Sequence, residues 1–111
     1  MNMQMQIKAA QIDATRPDDS YSQMDSSVAA QQIGKWNIAA ISGGRIAKTD
    51  YGMYLPVSNG YWVSIHLNVD DTYIVRRVLY RQAQGKVKQE WRGVYADQLG
   101  ETAYQASCFN N

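Results

Sequence analysis

The stretch NGYWVSIHLNVDDTYIVRRVLYRQAQGKVKQEWRGVY, residues 59–95, decides the fold. Tyr61, Val63, Ile65, Leu67 and Val69 alternate with Trp62, Ser64, His66 and Asn68, the period of a half-buried strand. Asn59-Gly60 opens the stretch with a strong hairpin signal, because a type I′ turn needs positive φ at both central residues. Asp70-Asp71 makes the next turn, 72–81 the next strand and 82–85 a loop. In the last strand Val87, Gln89 and Trp91 face one way, and Lys86, Lys88, Glu90 and Arg92 face the other. The pattern is an antiparallel meander.

Upstream, 45–48 and 53–58 read as short strands with Tyr51-Gly52 between them. A two-residue turn at Asn59-Gly60 sets Val57 opposite Trp62, Leu55 opposite Ser64 and Met53 opposite His66. That pairing places Met53, Leu55, Val57 and Trp62 on the face opposite Val63, Ile65 and Leu67. Both faces then need cover over part of their area. A helix can cover one. The other falls to the C-terminal segment, the N-terminal segment or a second subunit.

The helix is expected from Asp25-Ser26-Ser27, which offer N-cap side chains, through Ile41. Ala29, Ile33, Trp36 and Ala40 form its apolar stripe, and Gly43-Gly44 provides a left-handed exit. Residues 94–109 return to helical spacing through Leu99, Ala103 and Ala106, with Gly100 costing roughly 1 kcal/mol against Ala. Residues 1–25 show no regular apolar spacing, and Arg16-Pro17-Asp18-Asp19 is loop chemistry. The expectation is a flexible segment over 1–25 and a single α+β domain over 26–111: an N-terminal amphipathic helix, a meander of four or five strands and a short C-terminal helix.

The composition excludes several classes. One cysteine, Cys108, forbids an internal disulfide and a cysteine-rich metal site, and it reads as a small packing residue. No apolar run reaches membrane-spanning length, and MNMQMQIKAAQ lacks the shape of a secretory signal, so the expected location is cytoplasmic. His66 is the only histidine, so it and Ser64, two residues away on one strand face, are the one nucleophile–base pair worth weighing. No Gly-x-Ser-x-Gly elbow accompanies them, and nothing marks Asp70 or Asp71 as the orienting acid. A half-exposed strand histidine is the simpler account. With one His and one Cys, no metal set and no cofactor are expected. A small ligand held against Trp62, Tyr54 or Tyr80 stays open.

Charge is the remaining signal. Residues 72–95 hold six of the eleven basic residues against one acid, a net +5 in a chain of net +1. Arg76, Arg77, Arg81, Lys88, Trp91 and Arg92 are therefore the candidate contact surface, a basic and aromatic face able to track phosphates and stack bases. Against nucleic acid stands a pI of about 7.8, below the strongly basic values of nucleic-acid domains. Outward basic residues also protect strand edges from stray pairing.

GVYADQLGETAYQASCF (93–109), with the basic hairpin and SGGRIAKTDYGMYLPVSNGY (42–61), resembles small uncharacterised proteins encoded by bacteriophages of actinobacteria. The resemblance spans the last two-thirds of the chain, and the Met/Gln-rich start departs from it. It implies a viral accessory protein of no known activity, working in the host cytoplasm, and carries over no functional residue. The expected function is stoichiometric binding without catalysis. Its partner would be a host or phage protein, or a second copy through the spare sheet face. DNA or RNA is the alternative partner, and hydrolysis through His66 the third.

Overall fold

A computed structural model describes residues 3–13 and 21–108. The fold is α+β: among the described residues there are four α-helices, a single 3-10 turn at Ala96–Gln98 and a six-stranded antiparallel sheet. In chain order the elements are α1 (Met3–Asp13), β1 (Tyr21–Ser22), α2 (Ser26–Ile33), α3 (Lys35–Ser42), β2 (Ala47–Thr49), β3 (Gly52–Pro56), β4 (Tyr61–Asn68), β5 (Tyr73–Arg81), β6 (Gln84–Val94) and α4 (Leu99–Cys108). The sheet runs β2-β3-β4-β5-β6, and β1 pairs with the far end of β4 through Tyr21–Asn68 and Ser22–Leu67. Among the described residues no helix is long and apolar enough to cross a membrane.

The β3–β4 register differs by one residue from the two-residue turn. Met53 pairs with Ile65, Leu55 with Val63 and Pro56 with Trp62, and Val57 N–H donates to Tyr61 O across the loop 58–60. Asn59 and Gly60 take positive φ, 61° and 82°, as the dipeptide demanded, but the turn holds one residue more. A one-residue slip moves a whole strand to the other face. Met53 and Leu55 therefore join Val63 and Ile65 in the main core under α2, α3 and α4, while Tyr54 and Trp62 line the opposite face.

That second face is covered by the N-terminal segment. Residues expected to be flexible form α1, which touches β2, β3, β5 and β6. Ala9 and Ile12 are fully buried against Ala47, Tyr54, Trp62 and Val78. Met5, Ala9 and Ile12 stand at i, i+4 and i+7 on the sheet side, but Met3, Ile7 and Ala10 are apolar and exposed, so the stripe does not stand out in the sequence. Residues 14–20 of the expected tail lie outside the described residues. The spare sheet face offered to a second subunit is thus already occupied.

The helix expected over 26–41 is two helices. Asp25 caps α2 as read, its Oδ1 accepting from Ser27 N–H at 3.0 Å and Ser27 Oγ at 2.6 Å. The break is at Gly34, with φ 95° and ψ 142°, a conformation L side chains resist. The break resets the helical phase. Ala29 and Ile33 stay in the core, but α3 buries Ile38, Ile41 and Ser42, and Trp36 and Ala40 turn to solvent. Gly43 ends α3 in the left-handed conformation, as expected. Gly100 also has its reason. A Cβ there would sit 2.4 Å from Ile33 O and 2.7 Å from Asn37 Nδ2, so its absence lets α4 lie against the α2–α3 corner.

Candidate functional site

The six hairpin residues are not one surface. Arg76 and Arg77 are successive on β5, so they point to opposite faces, and both are buried, with 2% and 5% of their surface exposed. Arg76 lies beneath α1's face: Nε donates to Glu90 Oε1 at 2.8 Å, Nη2 donates to Tyr21 OH at 2.6 Å, and the guanidinium stands over the Tyr21 ring. Arg77 lies on the helical face. Its Nη1 donates to Ala106 O at 2.8 Å and Ser107 O at 3.1 Å, the last turn of α4, and its guanidinium stacks on Tyr61 at 3.9 Å. A cation at those orphan carbonyls satisfies them and opposes the negative helix end.

Glu90, which already accepts from Arg76, also accepts from Arg92 Nε at 2.9 Å. Partial burial raises its pKa, and the bonds from Arg92 and Arg76 outweigh that and hold the carboxyl below its ordinary range. Trp91 packs on the main core. Lys88 is the extra residue of a bulge, between the pairs Arg77–Gln89 and Val78–Val87. Among the candidates, Arg81 and Lys88 make no ion pair among the described residues, and with Lys86 they mark the outer end of the β5–β6 hairpin. The bulge and the lysines on the edge strand β6 are devices that discourage edge-to-edge pairing. Composition exposed the charge asymmetry but not which arginines the core consumes.

His66 is fully buried, where a half-exposed strand residue was expected. Its Nε2 lies 3.3 Å from Asp13 Oδ1 and 3.2 Å from Tyr54 OH, and its ring stacks on Tyr21 at 4.8 Å. Tyr54 OH donates to Asp13 Oδ1, and Thr49 Oγ1 donates to it at 3.4 Å. Asp13 is thus the acid near His66 that sequence spacing could not supply, because it comes from α1, 53 residues away. Ser64 shares the face and is fully buried, and its Oγ has no hydrogen-bond partner among the described residues. The arrangement is a polar clamp that ties the end of α1 to β2, β3 and β4. Gln11, accepting from Tyr80 OH, and Gln6, donating to Lys48 O, fasten the rest of the helix. Trp62 and Tyr54 are buried in this packing, with Tyr80 partly so. Among the described residues no three His, Cys, Asp or Glu side chains gather as a metal set.

The exposed feature that sequence reading placed in the core is Trp36, 82% exposed on α3. Lys35 Nζ lies 5.9 Å from its ring centroid. Trp36, Ala39, Ala40 and Gly43 share the outer side of α3, and no charged residue falls between Lys35 and Arg45. At its C-terminal end this face meets a cleft of about 470 Å³ whose lining includes Ala40, Gly43, Arg45, Val57, Tyr104 and Cys108. Cys108, expected as a packing residue, is exposed there. The neighbouring Cys108 thiol raises the Tyr104 pKa. The signal that could have revealed Trp36 is Gly34, the glycine that ends one helical phase and begins another.

No family model matches the chain, and neither a curated protein nor a solved structure matches it.

Proposed function

We propose that this protein works without catalysis, by stoichiometric binding of a protein partner through the outer face of α3, with Trp36 as the anchor. The observation that carries the reading is an 82%-exposed tryptophan on a helix face of small residues, with Lys35 at one end and Arg45 at the other. Scattered exposed apolar residues need no explanation, but a Trp set among small neighbours is the composition of a binding hot spot. Burial of His66 and Ser64 beneath α1 supports the non-catalytic part, since a reacting group needs a path for its substrate. The resemblance to phage accessory proteins agrees with a binding role in the host cytoplasm. Affinity capture with wild type and Trp36→Ala tests it: partners should be retained at near-stoichiometric yield by wild type and lost from the variant. Equal retention by both would sink the reading.

A nucleic-acid role keeps one supporting observation, the tip residues Arg81, Lys86 and Lys88, which make no ion pair among the described residues. Three cations give a weak footprint. Binding through them would lose affinity with a salt slope near three on a double-logarithmic plot, about 0.9 per phosphate neutralised. A fluorescence-anisotropy titration at two salt concentrations measures it.

A further inference from the structure

We infer that the cleft at the open corner of the sheet, between α1 and residues 44–46, binds a small amphipathic carboxylate. The cleft holds about 790 Å³, within the roughly 300–1,000 Å³ of small-molecule sites. It exists because β2 is short. The β2–β3 pairing ends at Ala47–Tyr54, two residues short of Pro56, and residues 43–46 lead away from the sheet to α3. Pro56, the last residue of β3, has no N–H to leave unpaired at that uncovered edge. Trp62, its partner across the hairpin, contributes from the start of β4, and α1 closes the remaining side with Met5 and Lys8. The site stands apart from the partner face proposed on α3, since Trp36 does not line it.

The lining combines apolar walls with two cations and no acid. Met5, Ile46, Pro56 and Val57 supply the walls, and Lys8 and Arg45 the charge. Neither cation makes an ion pair among the described residues. Lys8 Nζ lies 5.7 Å from the Tyr80 ring centroid and donates to no oxygen among the described residues. Arg45 Nε donates to Ser42 O at 3.0 Å, which holds the guanidinium at the rim and leaves both Nη groups without an acceptor among the described residues. Trp62 adds an independent sign. It is 5% exposed, and the part that reaches solvent includes its indole N–H, which donates to no atom among the described residues. A buried indole N–H finds a hydrogen-bond partner, and this one must find it outside the chain, in the cleft that Trp62 lines.

An inorganic anion would use the cations and leave the walls unfilled. A neutral apolar molecule would fill the walls and strip water from two unpaired charges. One carboxylate on an apolar body satisfies both, because its two oxygens offer about four lone-pair positions to Lys8, Arg45 and the indole. Trp62 is too buried to offer its ring face, so nucleobase stacking has no place in the site.

A nitrogen-15 NMR titration of the full chain tests this, with 2-naphthylacetate and decanoate as probes up to about 5 mM, a range that reveals weak affinities. The Trp62 indole signal and the amides of Met5, Lys8 and Ile46 should shift saturably, while the Trp36 indole signal stays in place. Tighter binding of 2-naphthylacetate assigns the site to aromatic acids, and tighter binding of decanoate to fatty acids. The uncharged 2-naphthaleneethanol should bind about tenfold more weakly than 2-naphthylacetate. Lys8→Gln and Arg45→Gln should each weaken binding about threefold, with spectra otherwise matching wild type. The wild-type titration decides the site by itself if either variant misfolds. Absence of a saturable Trp62 shift would overturn the site, as would equal affinity for the alcohol or binding unchanged by both substitutions. Equal shifts from inorganic phosphate would overturn the amphipathic ligand, and shifts centred on Trp36 would overturn the location.

Discussion

Replacing Ile12 by Ala asks whether the N-terminal helix belongs to the fold. Ile12 is fully buried and packs with Ala47, Tyr54, Trp62 and Val78 between α1 and the sheet. The substitution removes three carbons, about 2.4 kcal/mol of transfer free energy at roughly 0.8 kcal/mol each. A cavity term adds to that, and comparable core truncations to Ala cost about 2–5 kcal/mol. We expect a loss of about 3 kcal/mol. With a urea m-value of about 1.5 kcal/mol/M, the midpoint falls by about 2 M. Ile7 lies on the same helix, 51% exposed, and Ile7→Ala should change stability by less than about 0.5 kcal/mol. Trp62, 5% exposed beside Ile12, makes tryptophan fluorescence a suitable probe of the transition. If Ile12→Ala behaves like Ile7→Ala, α1 is not docked as described, and the account of the second sheet face fails.

Gly100→Ala should destabilise by roughly 1–3 kcal/mol through overpacking against Ile33 O, although Ala is the better helix former; a gain in melting temperature would refute the close approach. Arg77→Met should cost roughly 1–3 kcal/mol in chemical denaturation, because it strips the donor from the Ala106 and Ser107 carbonyls, and no loss would make the capping role void. The lowered Glu90 pKa means that its stabilisation is present above the ordinary carboxylate range and disappears as pH falls through the folded-state value. Glu90→Gln should therefore flatten the acid limb of the stability profile, and an unchanged limb would contradict the Arg76–Glu90–Arg92 arrangement.

Much of the architecture is legible in local pattern. The strand from Tyr61 to Asn68, the positive φ of Asn59 and Gly60, the Asp25 cap and the Gly43 stop are decided within a few residues, and each stands where the sequence places it. What escapes is nonlocal. The hairpin register depends on one extra loop residue, invisible to a dipeptide signal, and it decides which face Met53 and Leu55 take. The α1 stripe of Met5, Ala9 and Ile12 is masked in the sequence by Met3, Ile7 and Ala10, which are apolar yet exposed, and only the sheet it covers tells them apart. Arg76 and Arg77 read as solvent charges because charge counts do not reveal that Tyr21, Glu90 and the end of α4 await them. Trp36 reads as core because helical periodicity carries through Gly34 on paper and stops there in three dimensions.

The central claim is that the turn at Gly34 releases Trp36 from the core to act as an anchor. Equilibrium unfolding of Trp36→Ala beside wild type tests it most directly, at a dilution where ultracentrifugation shows both to be monomeric. The account predicts equal stability within about 0.5 kcal/mol, or a slight gain from the higher helix propensity of Ala. A loss of about 3 kcal/mol or more, the cost of truncating a buried Trp, would put Trp36 back in the core and leave the proposed surface without its anchor.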